Sequence, residues 1–215
     1  MSAFIAALFQ CFVKITGCIP QALVFRLKVY YEDRSVQSNR IRGKAIVACN
    51  HNDVMDVGVL LFVFWRRTLR PVVAELMYEK NFFMTLFLRL FGSIKADRDA
   101  HDFSFLGKCE RILSKGGVVE IYPEARLPKK GEETPLPFKP SAVYLALETD
   151  TPIIPVYSNG KLFSKEHTKV MIGKPIDVRA LYDDTLSQKE NIEQINTYLR
   201  GKIIELGNEI EKQEG

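Results

Sequence analysis

The sequence predicts an α/β protein with a mostly parallel sheet flanked by helices and an N-terminal apolar helical hairpin. After residue 40, short runs rich in β-branched residues alternate with longer segments of helical periodicity. This alternation is typical of βα units around a parallel sheet. Before residue 32, two apolar segments separated by a glycine and a proline predict the hairpin.

The first elements in chain order are these two apolar segments, roughly residues 2–13 and 19–31. Lys14 ends the first well short of the ~20 apolar residues that a bilayer span needs, so a simple transmembrane helix is not expected. Apolar segments followed by basic residues instead favour a hairpin in the interface of an anionic membrane. An ordinary buried helix is the alternative interpretation.

The rest of the chain predicts short strands alternating with helices. The predicted strands cover residues 45–49, 71–74, 93–96, 117–122, 152–157 and 169–172. The predicted helices lie near residues 54–66, 79–91, 101–115, 139–148 and 188–212. The last helix has one apolar stripe and is expected only to pack against the sheet. Residues 124–140 contain four prolines and predict one long loop, and loops of that length are usually functional or disordered.

Composition and charge exclude several classes of protein. The 215 residues are 47% hydrophobic and 26% charged, close to the globular average, which excludes a disordered or collagen-like chain. A formal net charge of +4 is too small to indicate nucleic-acid binding. The excess lies at one end, because residues 1–48 carry +5 and the remainder −1. Four cysteines without metal-ligand or paired spacing indicate reduced thiols on the cytoplasmic side.

A polar cluster, residues 50–56, follows the first predicted strand and opens the next helix. His51 and Asp56 would lie about 140° apart on a straight helix and could not meet there. If His51 lies in the loop, Asp56 can accept from one imidazole nitrogen and leave the other as a base. Asp53 is a natural N-cap. On this cluster alone, two capping aspartates and a surface histidine are an equal alternative.

Two further polar clusters lie near predicted strand ends, at residues 120–126 and 92–98. Open α/β sheets bind ligands at the carboxyl ends of their strands, so the clusters at strand ends are expected to converge on one crevice. Lys95 and Arg98 could hold a phosphate, the arginine as a bidentate fork. A surface ion pair of Arg98 with a neighbouring aspartate is the alternative.

Taken together in chain order, the clusters resemble the glycerolipid acyltransferase family, whose best-known members are 1-acyl-glycerol-3-phosphate (lysophosphatidate) acyltransferases. The family has a His-x4-Asp signature, a glycine to Asp-Arg block, an aromatic-Pro-Glu-Gly-Thr-Arg block and an apolar Pro-Ile-x-Pro-Val run. Similar segments lie at residues 51–56, 92–98, 122–126 and 152–156. Four blocks in order are more specific than any one. The third block departs from the pattern, because Ala125 replaces glycine and one residue is missing before Arg126.

The resemblance implies the family's fold and transfer of a fatty acyl chain from an acyl thioester to the hydroxyl of 1-acyl-glycerol-3-phosphate, in phospholipid biosynthesis. A hydroxyl is a poor nucleophile until a base takes its proton, and His51 can be that base. Asp56 would orient the imidazole, as the carboxylate does in hydrolase triads. By resemblance, Arg98, Glu124 and Arg126 would bind the acceptor, the two arginines on its phosphate.

The implied partners are a lysophospholipid, acyl-CoA or acyl carrier protein as donor, and an anionic membrane surface. No cofactor, metal ion or nucleic acid is expected; only three histidines exist, and none pairs with another at metal-ligand spacing. Residues 1–35 would form the membrane-associating segment and residues 36–215 the acyltransferase domain. The protein would act at the cytoplasmic face of the inner (cell) membrane.

Three alternatives to this function stay open. Within the family, the acceptor could be glycerol 3-phosphate, another lysophospholipid or an amine lipid. A non-catalytic lipid-binding module would keep the fold, although the intact His51 and Asp56 argue against it. A hydrolase with Cys49 or Cys109 as nucleophile is weaker, because apolar surroundings raise the pKa of a thiol.

Overall fold

The computed structural model describes residues 2–96 and 104–213 and confirms the predicted α/β class. The strands are β1 (Lys28–Tyr31), β2 (Ala45–Cys49), β3 (Leu69–Ala74), β4 (Ile94–Ala96), β5 (Val118–Ile121), β6 (Ile153–Ser158) and β7 (Lys169–Ile172). The helices are α1 (Ala3–Val24), α2 (Asp56–Val63), α3 (Glu75–Glu79), α4 (Phe82–Phe91), α5 (Ser104–Leu113), α6 (Ser141–Thr149) and α7 (Gln188–Lys212).

The sheet order within these residues is β1-β7-β6-β2-β5-β3-β4. Strands β6, β2, β5, β3 and β4 are parallel, whereas β7 is antiparallel to β6 and carries β1 parallel to itself. Parallel neighbours end at the same edge of a sheet. The chain therefore leaves β2, β5 and β6 side by side, at an edge that we call the carboxyl edge.

The core lies on both faces of the sheet. All five residues of β2 are buried, as expected of a central strand covered on both sides. One face packs against α2 and the C-terminal end of α1, and the other against α5, α6 and α7. The five strands of the parallel part, β2 to β6, match their predicted positions to within two residues.

The predicted helical hairpin is wrong, because residues 3–24 form the single helix α1. Pro20 lies inside it, so the helix continues past this residue although a proline has no backbone amide to donate. Gly17 marks a close approach rather than a turn, since a Cβ there would lie 2.8 Å from Cζ of Phe62 in α2. Residues 28–31 form strand β1 instead of a second helix, and this strand pairs with β7.

Helix α1 buries a polar stripe and exposes an apolar face. Its buried residues are Ala6, Gln10 and Lys14, spaced four apart. Its exposed apolar residues are Phe4, Ile5, Leu8, Phe12, Ile15, Ile19 and Leu23. The alternative of an ordinary buried helix is therefore wrong. By length and composition alone, α1 is also long and apolar enough to cross a membrane.

Two local predictions need correction. The helix predicted near 79–91 begins three residues later, as α4, because Asn81 is its N-cap and accepts a hydrogen bond from the Met84 amide; the short helix α3 before it was not predicted. Asp53 is not the N-cap of α2, because Met55 occupies that position. The Asp53 side chain instead accepts a hydrogen bond from the Met55 amide, in the turn that precedes the helix. The predicted loop at 124–140 is confirmed, since neither helix nor strand forms there.

Candidate active site

His51 and Asp56 meet at the carboxyl edge. His51 lies in the loop after β2, and Asp56 is the first residue of α2. The His51 Nδ1 atom lies 3.0 Å from Oδ2 of Asp56, as the loop placement of the histidine predicts. The aspartate is 1% exposed and the histidine side chain 15% exposed. With Nδ1–H donated to the carboxylate, the lone pair of the imidazole lies on Nε2.

Asp56 also shapes the loop that carries His51. Its Oδ2 atom accepts from the backbone amides of Asn52 and Asp53, at 2.7 and 2.9 Å. A carboxylate in the first turn of a helix is well placed to accept such amides. One oxygen therefore fixes both the loop backbone and the tautomer of the imidazole.

Two asparagines join this loop to the neighbouring strand β6. Asn50 is buried and donates to the Ser158 carbonyl at 2.9 Å, while its side-chain oxygen accepts from the Ser158 amide at 2.8 Å. The Asn52 side chain donates to the same carbonyl at 2.8 Å. Sequence reasoning assigned no role to Asn50 or Ser158. A polar residue directly after an all-buried strand is the signal that could have found Asn50.

Glu124 joins the His51 loop to the long loop. It is buried, and its Oε1 accepts from the His51 amide while its Oε2 accepts from the Leu136 amide, both at 2.7 Å. Burial raises the pKa of Glu124, and the two amide hydrogen bonds oppose the shift. Both oxygens thus hold backbone amides and position the histidine. The acceptor-binding role that the family resemblance implies for Glu124 stays a prediction.

Of the two arginines assigned to acceptor binding, the structure describes Arg126. Arg98 lies outside the described residues. Arg126 is exposed and forms a bidentate pair with Glu132, at 2.7 and 3.0 Å. Ala125, just before it, has φ 58°, a conformation that costs a residue other than glycine about 1–2 kcal/mol. Lys95, proposed as a phosphate ligand, pairs with Glu75.

Beneath the imidazole lies a second polar pair that sequence reasoning missed. The Tyr122 ring packs against His51 with centroids 4.3 Å apart, and its hydroxyl donates to Oε1 of Glu120 at 2.5 Å. Glu120 is fully buried, and burial raises its pKa to about 8. The signal in the sequence is a single glutamate inside an otherwise apolar strand.

The two cysteines of the hydrolase alternative do not suit a nucleophilic role. Cys49 and Cys109 are buried, and burial raises the pKa of both thiols, that of Cys109 to about 12. A thiol that stays protonated is a poor nucleophile. The hydrolase alternative therefore has no structural support.

Comparison with known proteins identifies relatives of this arrangement. A family model described as Acyltransferase matches residues 26–159. Two curated proteins are similar: human 1-acyl-sn-glycerol-3-phosphate acyltransferase beta, 24% identical over 79% of this chain, and Cocos nucifera 1-acyl-sn-glycerol-3-phosphate acyltransferase, 22% identical over 73%. The chain spans 61% and 50% of their respective lengths.

A solved structure shares the fold. The crystal structure of the 1-acyl-sn-glycerophosphate (LPA) acyltransferase PlsC from Thermotoga maritima superposes with a TM-score of 0.64, at 19% identity, over 94% of this chain and 79% of that one. The matched family segment contains β2, β5, β6 and both partners of the His51–Asp56 pair. With more than half of its residues inside that match, this chain belongs to the acyltransferase family.

Proposed function

We propose that the protein is an O-acyltransferase that moves a fatty acyl chain from an acyl thioester to the hydroxyl of 1-acyl-glycerol-3-phosphate. The single observation that carries the proposal is the 3.0 Å contact of His51 Nδ1 with Asp56 at the carboxyl edge of an acyltransferase-family fold. The acceptor is proposed from the names of the similar proteins. The donor is acyl-CoA or acyl carrier protein, since a thioester supplies both the acyl group and a stable leaving thiolate.

The geometry suits general-base catalysis by His51. Its Nε2 atom takes the proton of the acceptor hydroxyl while the hydroxyl oxygen bonds to the thioester carbonyl carbon. The carbon–sulfur bond then breaks, the thiolate leaves with the electron pair, and the imidazolium returns the proton to it. Asp56 stabilises the positive charge on the imidazolium during this step. The products are an ester and a free thiol, and His51 is neutral again.

Acceptor binding is assigned to the loops around this pair. In the proposal, Arg126 and Arg98 bind the phosphate, because a guanidinium offers a planar fork to phosphate oxygens. Glu132 now occupies the fork of Arg126. The phosphate therefore has to replace this carboxylate, and it can do so because the pair is exposed to solvent.

The membrane is the proposed site of action, and α1 is the proposed contact with it. A helix on the surface of a water-soluble protein usually turns its apolar side inward, whereas α1 buries Gln10 and Lys14 and exposes phenylalanine, leucine and isoleucine. The rings of Phe9 and Phe87 join α1 to α4, which exposes Phe82 and Phe83 beside it. Reduced thiols favour the cytoplasmic face.

The test is acyl transfer by the purified full chain in detergent micelles, with labelled acyl-CoA and 1-acyl-glycerol-3-phosphate. We expect His51→Ala to lower kcat by about 10²–10⁴, the usual contribution of a general base. Asp56→Asn should also lower kcat, because the amide no longer fixes the imidazole tautomer. Asp184→Asn, an exposed aspartate far along the chain, is the matched control and should retain full activity.

Full activity of a folded His51→Ala variant would reject the mechanism. Binding of the lipid without any transfer by the wild type would favour a non-catalytic lipid-binding module instead. Parallel assays with glycerol 3-phosphate, other lysophospholipids, an amine lipid and acyl carrier protein as donor distinguish the remaining substrates.

A further inference from the structure

The loop between β6 and β7, residues 159–168, presents one phenylalanine among basic side chains. Phe163 is 69% exposed, and Lys161 and Lys165 on either side of it are exposed as well. One acidic residue accompanies them, since Glu166 lies 3.5 Å from Lys161. An exposed aromatic ring surrounded by lysines has no use in the protein core and suits a surface that is apolar inside and anionic outside.

This loop is held against the C-terminal end of α1. Arg26, just after the helix, donates to the Lys165 carbonyl at 2.6 Å, and His167 Nδ1 donates to the Arg26 carbonyl at 2.8 Å. The amide of Thr168 donates to the Phe25 carbonyl at 3.1 Å. The loop is therefore attached directly to the C-terminal end of α1, where Leu23 is exposed.

Two residues of this surface have backbone conformations that glycine would adopt more easily. Phe163 has φ 54° and Arg26 has φ 49°. Left-handed conformations are unfavourable for such side chains and persist where the surrounding structure enforces them, which is common at binding sites. At residue 163 this conformation accompanies a ring that is 69% exposed.

The surface lies next to the candidate active site. The loop begins beside the His51 loop, because a Cβ on Gly160 would lie 2.6 Å from Cβ of Asn52. On its other side, Arg26 and His167 line an open surface depression of about 310 Å³ with Gln21 and Leu27. Both features are at the carboxyl edge.

We propose that Leu23, Arg26, Lys161, Phe163 and Lys165 form a docking surface for an anionic lipid bilayer. The Phe163 ring and Leu23 enter the apolar region, and the three basic side chains bind lipid phosphates. The carboxyl edge then faces the membrane, so an acceptor lipid reaches His51 without leaving the bilayer surface. This inference rests on the proposed action on a membrane lipid, but not on the transfer reaction itself.

The first test removes the ring without straining the loop. Phe163→Gly is compatible with the positive φ, so a loss of binding cannot be assigned to a distorted backbone. We expect the full-length variant to sediment about tenfold more weakly with vesicles of phosphatidylcholine and phosphatidylglycerol, because a buried phenyl ring is lost. Phe163→Trp, which keeps an aromatic ring, should bind as the wild type does. Equal binding of Phe163→Gly and wild type would overturn the proposal.

The second test separates local charge from total charge. Lys161→Gln with Lys165→Gln should weaken binding to these anionic vesicles by about fivefold per lysine and leave binding to pure phosphatidylcholine unchanged. The matched control, Lys189→Gln with Lys212→Gln, removes the same charge from α7, on the opposite face of the sheet. An equal loss in this control would overturn the proposed location.

Vesicle binding and acyl transfer are measured separately, the latter in detergent micelles with wild type and His51→Ala. If the wild type transfers no acyl group but binding still depends on Phe163, the proposed reaction fails and the docking surface stands. If transfer depends on His51 while binding is indifferent to Phe163, the docking surface fails and the reaction stands.

Discussion

Three buried carboxylates surround His51, and each one has different hydrogen-bond partners. Asp56 accepts from the imidazole and two backbone amides, and Glu124 accepts from two backbone amides. Glu120 accepts only from the Tyr122 hydroxyl, and its Oε2 has no partner among the described residues. A buried carboxylate with few donors is more stable protonated. Burial raises the pKa of Glu120 to about 8, so this carboxyl is protonated near neutral pH.

Glu120 should make the protein less stable as the pH rises. Burial raises its pKa from 4.5 to about 8 in the folded protein. Between these values the unfolded chain has lost the proton and the folded chain still binds it. The free energy of unfolding therefore falls by on the order of 1 kcal/mol per pH unit across this window.

The Glu120→Gln variant tests this pH dependence, because an amide keeps the acceptor for Tyr122 and does not ionise. Urea denaturation from pH 5 to pH 8 should show the variant gaining stability relative to the wild type as the pH rises. Glu148→Gln, which removes an exposed carboxylate on α6, controls for net charge. Parallel stability curves for wild type and Glu120→Gln would contradict the assignment.

Arg126 and Glu132 should have opposite effects on acceptor binding. Arg126→Ala removes a proposed phosphate ligand and should raise the KM for the phosphate-bearing acceptor by about tenfold, with kcat nearly unchanged. Glu132→Gln frees the same guanidinium and should lower that KM by a few-fold, since exposed ion pairs are weak. Steady-state kinetics at varied acceptor concentration checks both. A KM that is indifferent to both substitutions would show that the phosphate binds elsewhere.

Among the elements, α1 is the one whose contacts differ most from those of an ordinary surface helix. Two of its polar side chains attach it to the rest of the protein. They form hydrogen bonds with backbone groups of other elements. The Gln10 amide donates to the carbonyls of Leu69 and Phe91 at 2.6 and 2.9 Å and accepts from the Leu69 amide at 3.1 Å. Lys14 donates to the carbonyls of Trp65 and Arg67. The helix thereby completes the hydrogen bonding at the start of β3 and the end of α4.

Gln10→Leu should therefore destabilise the protein by about 3 kcal/mol, although leucine is apolar and of similar size. The substitution leaves three buried backbone groups without partners, and each such group costs roughly 1–3 kcal/mol. Chemical denaturation measures the change. The matched substitution Gln194→Leu, at an exposed position of α7, should change stability by less than about 0.5 kcal/mol. Equal effects of the two substitutions would show that α1 is not anchored through Gln10.

Helix α1 also shows where a structure predicted from the sequence pattern is wrong. Lys14 indicates an interruption of the apolar segment when the sequence is considered alone, but in the structure it points inward, and burial lowers its pKa to about 8. The exposed side of α1 therefore stays apolar along its length. Gly17 and Pro20 indicate a turn by composition, yet the helix continues through both, and Gly17 lies against Phe62.

Across the whole molecule, the parallel arrangement of β2, β5 and β6 creates the candidate site. Their ends place the His51 loop, the start of the long loop and the 159–168 loop beside one another, although these segments are far apart in the chain. The two polar clusters after β2 and β5 do converge, as the prediction of a parallel sheet requires, through the Glu124 contact with the His51 amide. The third predicted cluster ends in residues outside the described part. The division of the chain at residue 35 stays a prediction.

The sequence by itself determined the α/β class, the parallel strands and the His51–Asp56 pair. The fold class and the strands follow from local strand and helix periodicity. The pair follows from two residues five positions apart together with the resemblance of four sequence blocks to a family pattern. Only the tertiary structure decided which side of α1 faces the protein, that Glu124 holds backbone amides, that Glu132 occupies Arg126 and that the loop carrying Phe163 begins beside the His51 loop. These contacts depend on which surfaces meet after the chain folds, and no local pattern records that.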